Sequence, residues 1–186
     1  MLLPLLSYSV TQSLAFEHER LLTLGHPPDT VKPPFSEEAR VIVSDLSKTE
    51  GRRYPARRRT QNLVGGLAPI QAKHFAIGLV TLDADGGQVP WHNQDQEEVY
   101  FILEGTVEMC LGPERQVLCA GQAAFIPPGV FHQATNLGEV PATMIYCYGP
   151  AGDVAHWRQE LDGTLPRAGR EGPPLPEGAR PQWTEK

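Results

Sequence analysis

Two histidines, a glutamate and a glutamine lie at spacings in this sequence that would let them bind one metal ion. One residue separates His92 from Gln94. Alternate residues of a strand face the same side, so the two side chains should point the same way. Glu98 follows a bend at Asp95-Gln96 and can face them from the next strand, and His132 adds an imidazole from a later strand. Converging inside a small barrel, these groups would form a mononuclear metal site with at least one position open to a substrate.

Short strands joined by tight turns are needed to position these four residues. The sequence has 186 residues with 18 glycines and 18 prolines, which leaves little room for long helices. Segments rich in β-branched and aromatic residues recur about every eight to twelve residues, which is typical of a sandwich or barrel and predicts an all-β fold. The predicted strands are 73–82, 98–103, 106–111, 116–119, 123–126, 131–135 and 142–148.

Strand alternation also predicts which neighbours share the interior with the metal site. If Glu98 faces inward, Tyr100 and Ile102 do too. Tyr100 can then donate a phenolic hydrogen bond to the ligands or to a substrate, so Tyr100 and Gln94 are the candidate catalytic residues. His74 and His156 have no comparable spacing and are expected to be packed or hydrogen-bonded side chains and not metal ligands. An apolar pocket lining is expected from Phe75, Ile77, Leu79, Phe125, Met144, Tyr146 and Tyr148.

Both histidine segments resemble the two signature motifs of the cupin superfamily. The likeness extends over the strand pattern of residues 73–148, and one position departs from it, because Gln94 takes the place of a histidine. The resemblance implies a double-stranded β-helix, or jelly-roll barrel, with His92, Glu98 and His132 as metal ligands. The matching positions are Gly86, His92, Glu98 and Gly105 in the first motif and Gly121, Pro127, Gly129, His132 and Asn136 in the second.

Gln94 leaves the reaction open. If its amide does not bind the metal, His92, Glu98 and His132 form a two-histidine, one-carboxylate triad of the kind that suits non-haem Fe(II) and oxygen chemistry. If its carbonyl oxygen does bind, the four-ligand set looks like the zinc site of type I phosphomannose isomerases, with the first two ligands exchanged. We expect first a metal-dependent dioxygenase acting on a small organic substrate, and second a sugar isomerase, epimerase or lyase. A non-catalytic binding cupin is the third alternative.

The expected cofactor is one divalent transition metal, with Fe as first choice and Mn, Ni or Zn as the other candidates. The net charge of -6 argues against nucleic acid or an anionic membrane as partner and favours a small-molecule substrate. Cys110, Cys119 and Cys147 form no CxxC pair, and the apolar run at residues 1–6 lacks a basic flank, so we expect a cytoplasmic protein without disulfides.

Three regions are expected along the chain. Residues 1–60 should form an N-terminal arm with a short helix, 61–150 the barrel, and 151–186 a helix capped by Asp153 and a tail rich in proline and glycine. Within the arm, residues 40–44 are predicted to be a strand. The long arms, together with the resemblance to cupins, predict a homodimer. A basic cluster in the arm is expected to be a solvated loop, or alternatively an anion clamp at a pocket mouth, and consists of Arg52, Arg53, Arg57, Arg58 and Arg59.

Overall fold

The computed structural model describes residues 40–165 and Glu177, and in these residues the strands form two antiparallel sheets. The prediction of an all-β fold is confirmed, since helix in these residues is limited to a 3-10 turn at Leu46–Lys48 and to α1 (Ala155–Leu161). The six-stranded sheet has the order β1 (Arg52–Tyr54), β2 (Arg58–Val64), β3 (Ala76–Leu82), β10 (Ala142–Gly149), β5 (Glu97–Glu104) and β8 (Ala123–Ile126). The four-stranded sheet has the order β4 (Gln88–His92), β9 (His132–Asn136), β6 (Thr106–Leu111) and β7 (Glu114–Cys119).

Side chains from both sheets form one apolar core. Along β3 and β10 every second residue is buried, as expected of strands that turn one face inward. Each fully buried aliphatic side chain contributes about 1.5–3 kcal/mol to stability. The core residues with no exposed surface are Leu82, Ile102, Ile126, Ala134, Ala142 and Met144.

The predicted pocket lining is wrong on two strands. Because Ala76, Val80 and Leu82 are the buried residues of β3, the intervening Ile77 and Leu79 are only partly buried. Both faces of β3 are apolar, so alternation alone could not choose between them. On β10 the prediction holds for Tyr146 and Tyr148, which line a cavity, whereas Met144 is buried in the core without lining it. The two predicted aromatic residues found at the surface are Phe75 and Phe125.

The basic cluster lies mostly on strands and not in a loop. β1 and β2 pair as a hairpin, with Arg57 at a φ of 58° next to the turn, and β2 then pairs with β3. The six-stranded sheet therefore begins before the predicted boundary at residue 61. Residues 40–44 form no strand, so that prediction is wrong.

The predicted C-terminal helix is present as α1, but its cap differs. Val154 is the N-cap residue and makes no side-chain cap bond, while the Asp153 carboxylate pairs with Arg158 instead. The predicted N-terminal helix and the tail from residue 166 lie outside the described residues, apart from Glu177, and the homodimer stays a prediction. None of the helices in the described ranges has the length and apolar character needed to cross a membrane.

Candidate metal centre

A bulge in β4 brings His92 and His132 side by side. β4 pairs with β9 so that Val89 lies opposite Ala134, yet His92 lies opposite His132, and the register shifts between the two pairs. Pro90 lies in the shifted stretch, where its missing N–H breaks the ladder. The bulge thus sets the two imidazoles next to each other, with ring centroids 4.1 Å apart and ring planes tilted by 57°.

Both histidines are held in the tautomer that a metal ligand needs. Nδ1 of His92 donates to the carbonyl of Pro90 at 2.6 Å, and Nδ1 of His132 donates to the carbonyl of Val130 at 2.9 Å. A carbonyl oxygen only accepts, so the hydrogen is on Nδ1 and the lone pair is on Nε2. Burial and the neighbouring imidazole of His132 lower the pKa of His92 well below its usual value, which keeps the His92 ring neutral.

Glu98 reaches the histidines from β5 in the other sheet. Its Oε2 lies 3.4 Å from Nε2 of His132, and one ligand atom from each of His92, Glu98 and His132 lies within 4.8 Å of the others. Neither Nε2 atom has a hydrogen-bond partner among the described residues. A cation placed between the two Nε2 atoms and the carboxylate would interact favourably with all three groups. The donor set therefore fits a transition metal ion.

Gln94 reaches this centre from a loop. β4 ends at His92, so the expectation that His92 and Gln94 share one strand face is wrong. The loop is held by the backbone N–H of Gly129, which donates to the Gln94 carbonyl at 2.7 Å. The Gln94 side-chain amide is buried, and its Nε2 donates to Glu98 Oε2 at 3.1 Å. The amide thus contacts the carboxylate through its nitrogen.

Tyr100 lies on the interior face of β5 together with Glu98, as the alternation predicted. Glu98, Tyr100 and Ile102 are buried, whereas Glu97 is exposed. The Tyr100 ring is 6.0 Å from that of His132, measured between centroids. Burial and the Glu98 carboxylate raise the pKa of Tyr100 well above its usual value, so its hydroxyl keeps its proton and acts as a hydrogen-bond donor.

Two further residues adjoin the centre, and motif spacing gave no signal for either. His156 on α1 is buried, as expected for a packed side chain, but it packs on His92 with ring centroids 3.6 Å apart. Burial and His92 lower the pKa of His156 well below its usual value. Arg58 on β2 is also buried and pairs with Glu160 of α1. Both contacts depend on α1 folding back onto the sheet.

A small cavity lies beside the centre and reaches Glu98. Its volume is about 20 Å³, and its polar lining includes Arg58, Gln94, Glu98, Tyr100 and His156. A cavity of this size holds roughly one or two water molecules. This cavity therefore has room for an ion and its water but not for an organic molecule of several atoms.

Comparison with known proteins identifies the fold family. A model of the cupin domain matches residues 78–148, the stretch that contains both histidine segments. The domain formed by these residues belongs to the cupin superfamily. Its double-stranded β-helix is shared with a cupin described as RmlC-like from Shewanella frigidimarina, which is 22% identical with a TM-score of 0.51 over 60% of this chain and 92% of that one. KdgF from a Halomonas species is 16% identical, with a TM-score of 0.53 over 61% of this chain and 97% of that one.

The two curated relatives are uncharacterized proteins, and the chain spans less than two thirds of the length of each. An uncharacterized protein of Methanocaldococcus jannaschii is 39% identical over 54 residues, which are 29% of this chain and 43% of the relative. An uncharacterized protein of Streptomyces coelicolor is 32% identical over 72 residues, which are 38% of this cupin chain and 66% of the relative. Likeness to the solved structures supports the cupin fold, and the activity must be argued from the site.

Proposed function

We propose that this cupin is a metal-dependent enzyme acting on a small organic molecule, with dioxygenase chemistry as its reaction. The observation that carries the proposal is the buried trio of His92, Glu98 and His132, whose ligand atoms lie within 4.8 Å of one another. Two imidazoles and one carboxylate match the two-histidine, one-carboxylate set that binds non-haem Fe(II) and leaves open positions. When bound, such an ion supplies redox chemistry and sites for O2 and substrate.

The role of Gln94 favours three protein ligands over four. Its amide nitrogen donates a hydrogen bond to Glu98 Oε2, and this bond orients the carboxylate. A four-ligand isomerase site would require the Gln94 carbonyl oxygen to face the ion instead. The hydrogen bond therefore supports the oxygenase hypothesis over the isomerase hypothesis.

The remaining roles belong to the chain's own groups. The backbone carbonyls of Pro90 and Val130 hold the two imidazole rings in orientation through Nδ1. Tyr100, protonated at Oη, is placed to donate a hydrogen bond to a ligand or to a substrate oxygen. Val154 and His156, at the start of α1, line the cavity beside the centre.

Metal analysis of the purified full chain tests the proposal. Wild-type protein, purified without added metal and then loaded with Fe(II), should carry about one metal ion per chain. His132→Ala should lose the ion and stay folded, while the exposed control His74→Ala should keep it. Equal metal content in all three proteins would overturn the proposal.

Oxygen dependence tests the reaction class. Fe(II)-loaded protein should consume O2 in the presence of its substrate, in a screen of small carbonyl and carboxylate compounds. Product formation that proceeds equally well under anaerobic conditions would replace the dioxygenase by an isomerase or lyase at the same centre.

A further inference from the structure

Arg58 differs from the other arginines of the basic cluster. Its side chain is 1% exposed, and its guanidinium carbon lies 4.0 Å from the centroid of the Tyr54 ring. Arg57, by contrast, is exposed and donates to the carbonyls of Ala84 and Asp85 in a neighbouring turn. A buried cation is expensive, so Arg58 needs a reason to be inside.

The donors of Arg58 are incompletely used. Nη1 donates to Oε2 of Glu160, and Nε makes a long contact of 3.4 Å to Thr60 Oγ1. Nη2 is buried without an acceptor among the described residues. Glu160 binds the guanidinium through one oxygen only, because its Oε1 accepts from the backbone N–H of Ala56 at 3.3 Å. The planar fork of an arginine is built for two parallel hydrogen bonds to one carboxylate, and here it makes one.

Arg58 faces the same cavity as the metal centre. It lines this cavity together with Gln94 and Glu98 on one side and with Val154 and His156 of the α1 region on another. The volume of about 20 Å³ holds water but no organic substrate. Val154 and His156 form one wall of this cavity, and a substrate that displaces α1 also removes Glu160 from Arg58.

We propose that Arg58 binds the carboxylate group of a small anionic substrate, and that Glu160 occupies this place until the substrate arrives. The inference rests on the proposed function, because it takes the metal centre as the end of the cavity where the substrate reacts. The incoming carboxylate replaces Glu160 on Nη1 and gives Nη2 the acceptor it lacks. A carboxylate fits better than a phosphate, since one arginine supplies the charge and its present partner is itself a carboxylate.

Direct binding of carboxylates to the full chain tests the proposal without any turnover. The probes are acetate, pyruvate and benzoate, with benzamide as the uncharged control, titrated calorimetrically into chelator-treated protein. Glu160→Gln removes the competing charge and keeps the side-chain shape, so affinity for the carboxylates should rise on the order of tenfold, with no change for benzamide. Adding Arg58→Gln to Glu160→Gln should abolish the gain, and this double variant leaves no buried charge unpaired.

Loosening of α1 by itself is the competing explanation. Asp153→Asn breaks the exposed ion pair between Asp153, which precedes α1, and Arg158 of α1 without touching Arg58, and it should leave carboxylate affinity unchanged. The proposal is overturned if Asp153→Asn gives the same gain, if Glu160→Gln gives none, or if the double variant retains it. If the double variant does not fold, the benzoate-against-benzamide difference in Glu160→Gln still decides.

The two proposals fail separately. Repeating the titration in the His132→Ala background should leave the Glu160→Gln gain intact, because Arg58 binds the anion without the ion. A gain with no metal in the wild type would refute the metal enzyme alone, and metal without a gain would refute the Arg58 assignment alone.

Discussion

Gln94 donates a hydrogen bond to Oε2 of Glu98 at 3.1 Å, and that same oxygen lies 3.4 Å from Nε2 of His132. One carboxylate oxygen is thus shared between a neutral amide donor and the space where a cation fits. The glutamine that departs from the cupin motif is, in this arrangement, a partner of a ligand.

Removing the Gln94 amide should weaken metal binding without unfolding the protein. Partners that orient a metal ligand typically contribute 10- to 100-fold in affinity, so Gln94→Ala should lose about that much. Gln94→His offers an imidazole N–H or a ligand nitrogen at the same place and should restore the affinity. The measurement is competition with a chromophoric chelator, alongside the melting temperature of the metal-free protein. Unchanged affinity in Gln94→Ala would show that the hydrogen bond does not orient Glu98.

Adjacent glutamates provide a matched pair of variants. Glu98 is buried at the centre and Glu97 is exposed on the other face of β5. Glu98→Ala should abolish stoichiometric metal binding, whereas Glu97→Ala should bind as the wild type does, with both read by elemental analysis. Loss of metal in both variants would indicate a general effect of charge and not a ligand.

Asn136 should be important for stability. It is fully buried, its Nδ2 donates to the carbonyls of Leu82, Asp83 and Val140, and its Oδ1 accepts from the N–H of Gly138. Asn136→Ala leaves several buried backbone groups without partners and should lower the free energy of unfolding by about 3 kcal/mol.

Asn93 supplies the control for Asn136. It is exposed and makes one hydrogen bond of 3.3 Å, so Asn93→Ala should change the free energy of unfolding by less than about 0.5 kcal/mol. Chemical denaturation of both variants checks the pair. Equal effects would contradict the assigned role of the Asn136 network.

The cysteines should react with thiol reagents at very different rates. Cys119 is exposed, whereas Cys110 is buried, and burial together with Glu108 raises the pKa of the Cys110 thiol to about 11. At pH 8 the Cys110 thiol is therefore protonated as well as inaccessible, and a thiolate is the reacting form. Native protein should be labelled first at Cys119, and Cys119→Ser should remove the fast phase seen by peptide mapping. Rapid labelling of Cys110 in folded protein would contradict the packing around β6.

Motif spacing was enough to predict the centre but not its surroundings. Turn glycines and strand alternation correctly assigned Glu98 to the interior and Glu97 to solvent, because β5 has a clear inward face. The same method failed on β3, which is apolar on both faces. The Pro90 bulge was also invisible to it, since a shift of one residue depends on the partner strand and not on local sequence.

Contacts distant in sequence account for the rest. Arg58 and Glu160 are 102 residues apart and meet only because α1 folds onto the six-stranded sheet. A run of arginines is typical of a wet surface, and nothing local marks one of five as buried. His156 likewise reaches His92 through tertiary packing alone.

The ligands of the centre come from different layers: His92 and His132 from the four-stranded sheet and Glu98 from the six-stranded one. A cation bound by all three would cross-link the two sheets. Adding the metal ion should then slow amide hydrogen exchange in β4, β5 and β9 together, while exchange in the hairpin ends far from the ion should stay unchanged.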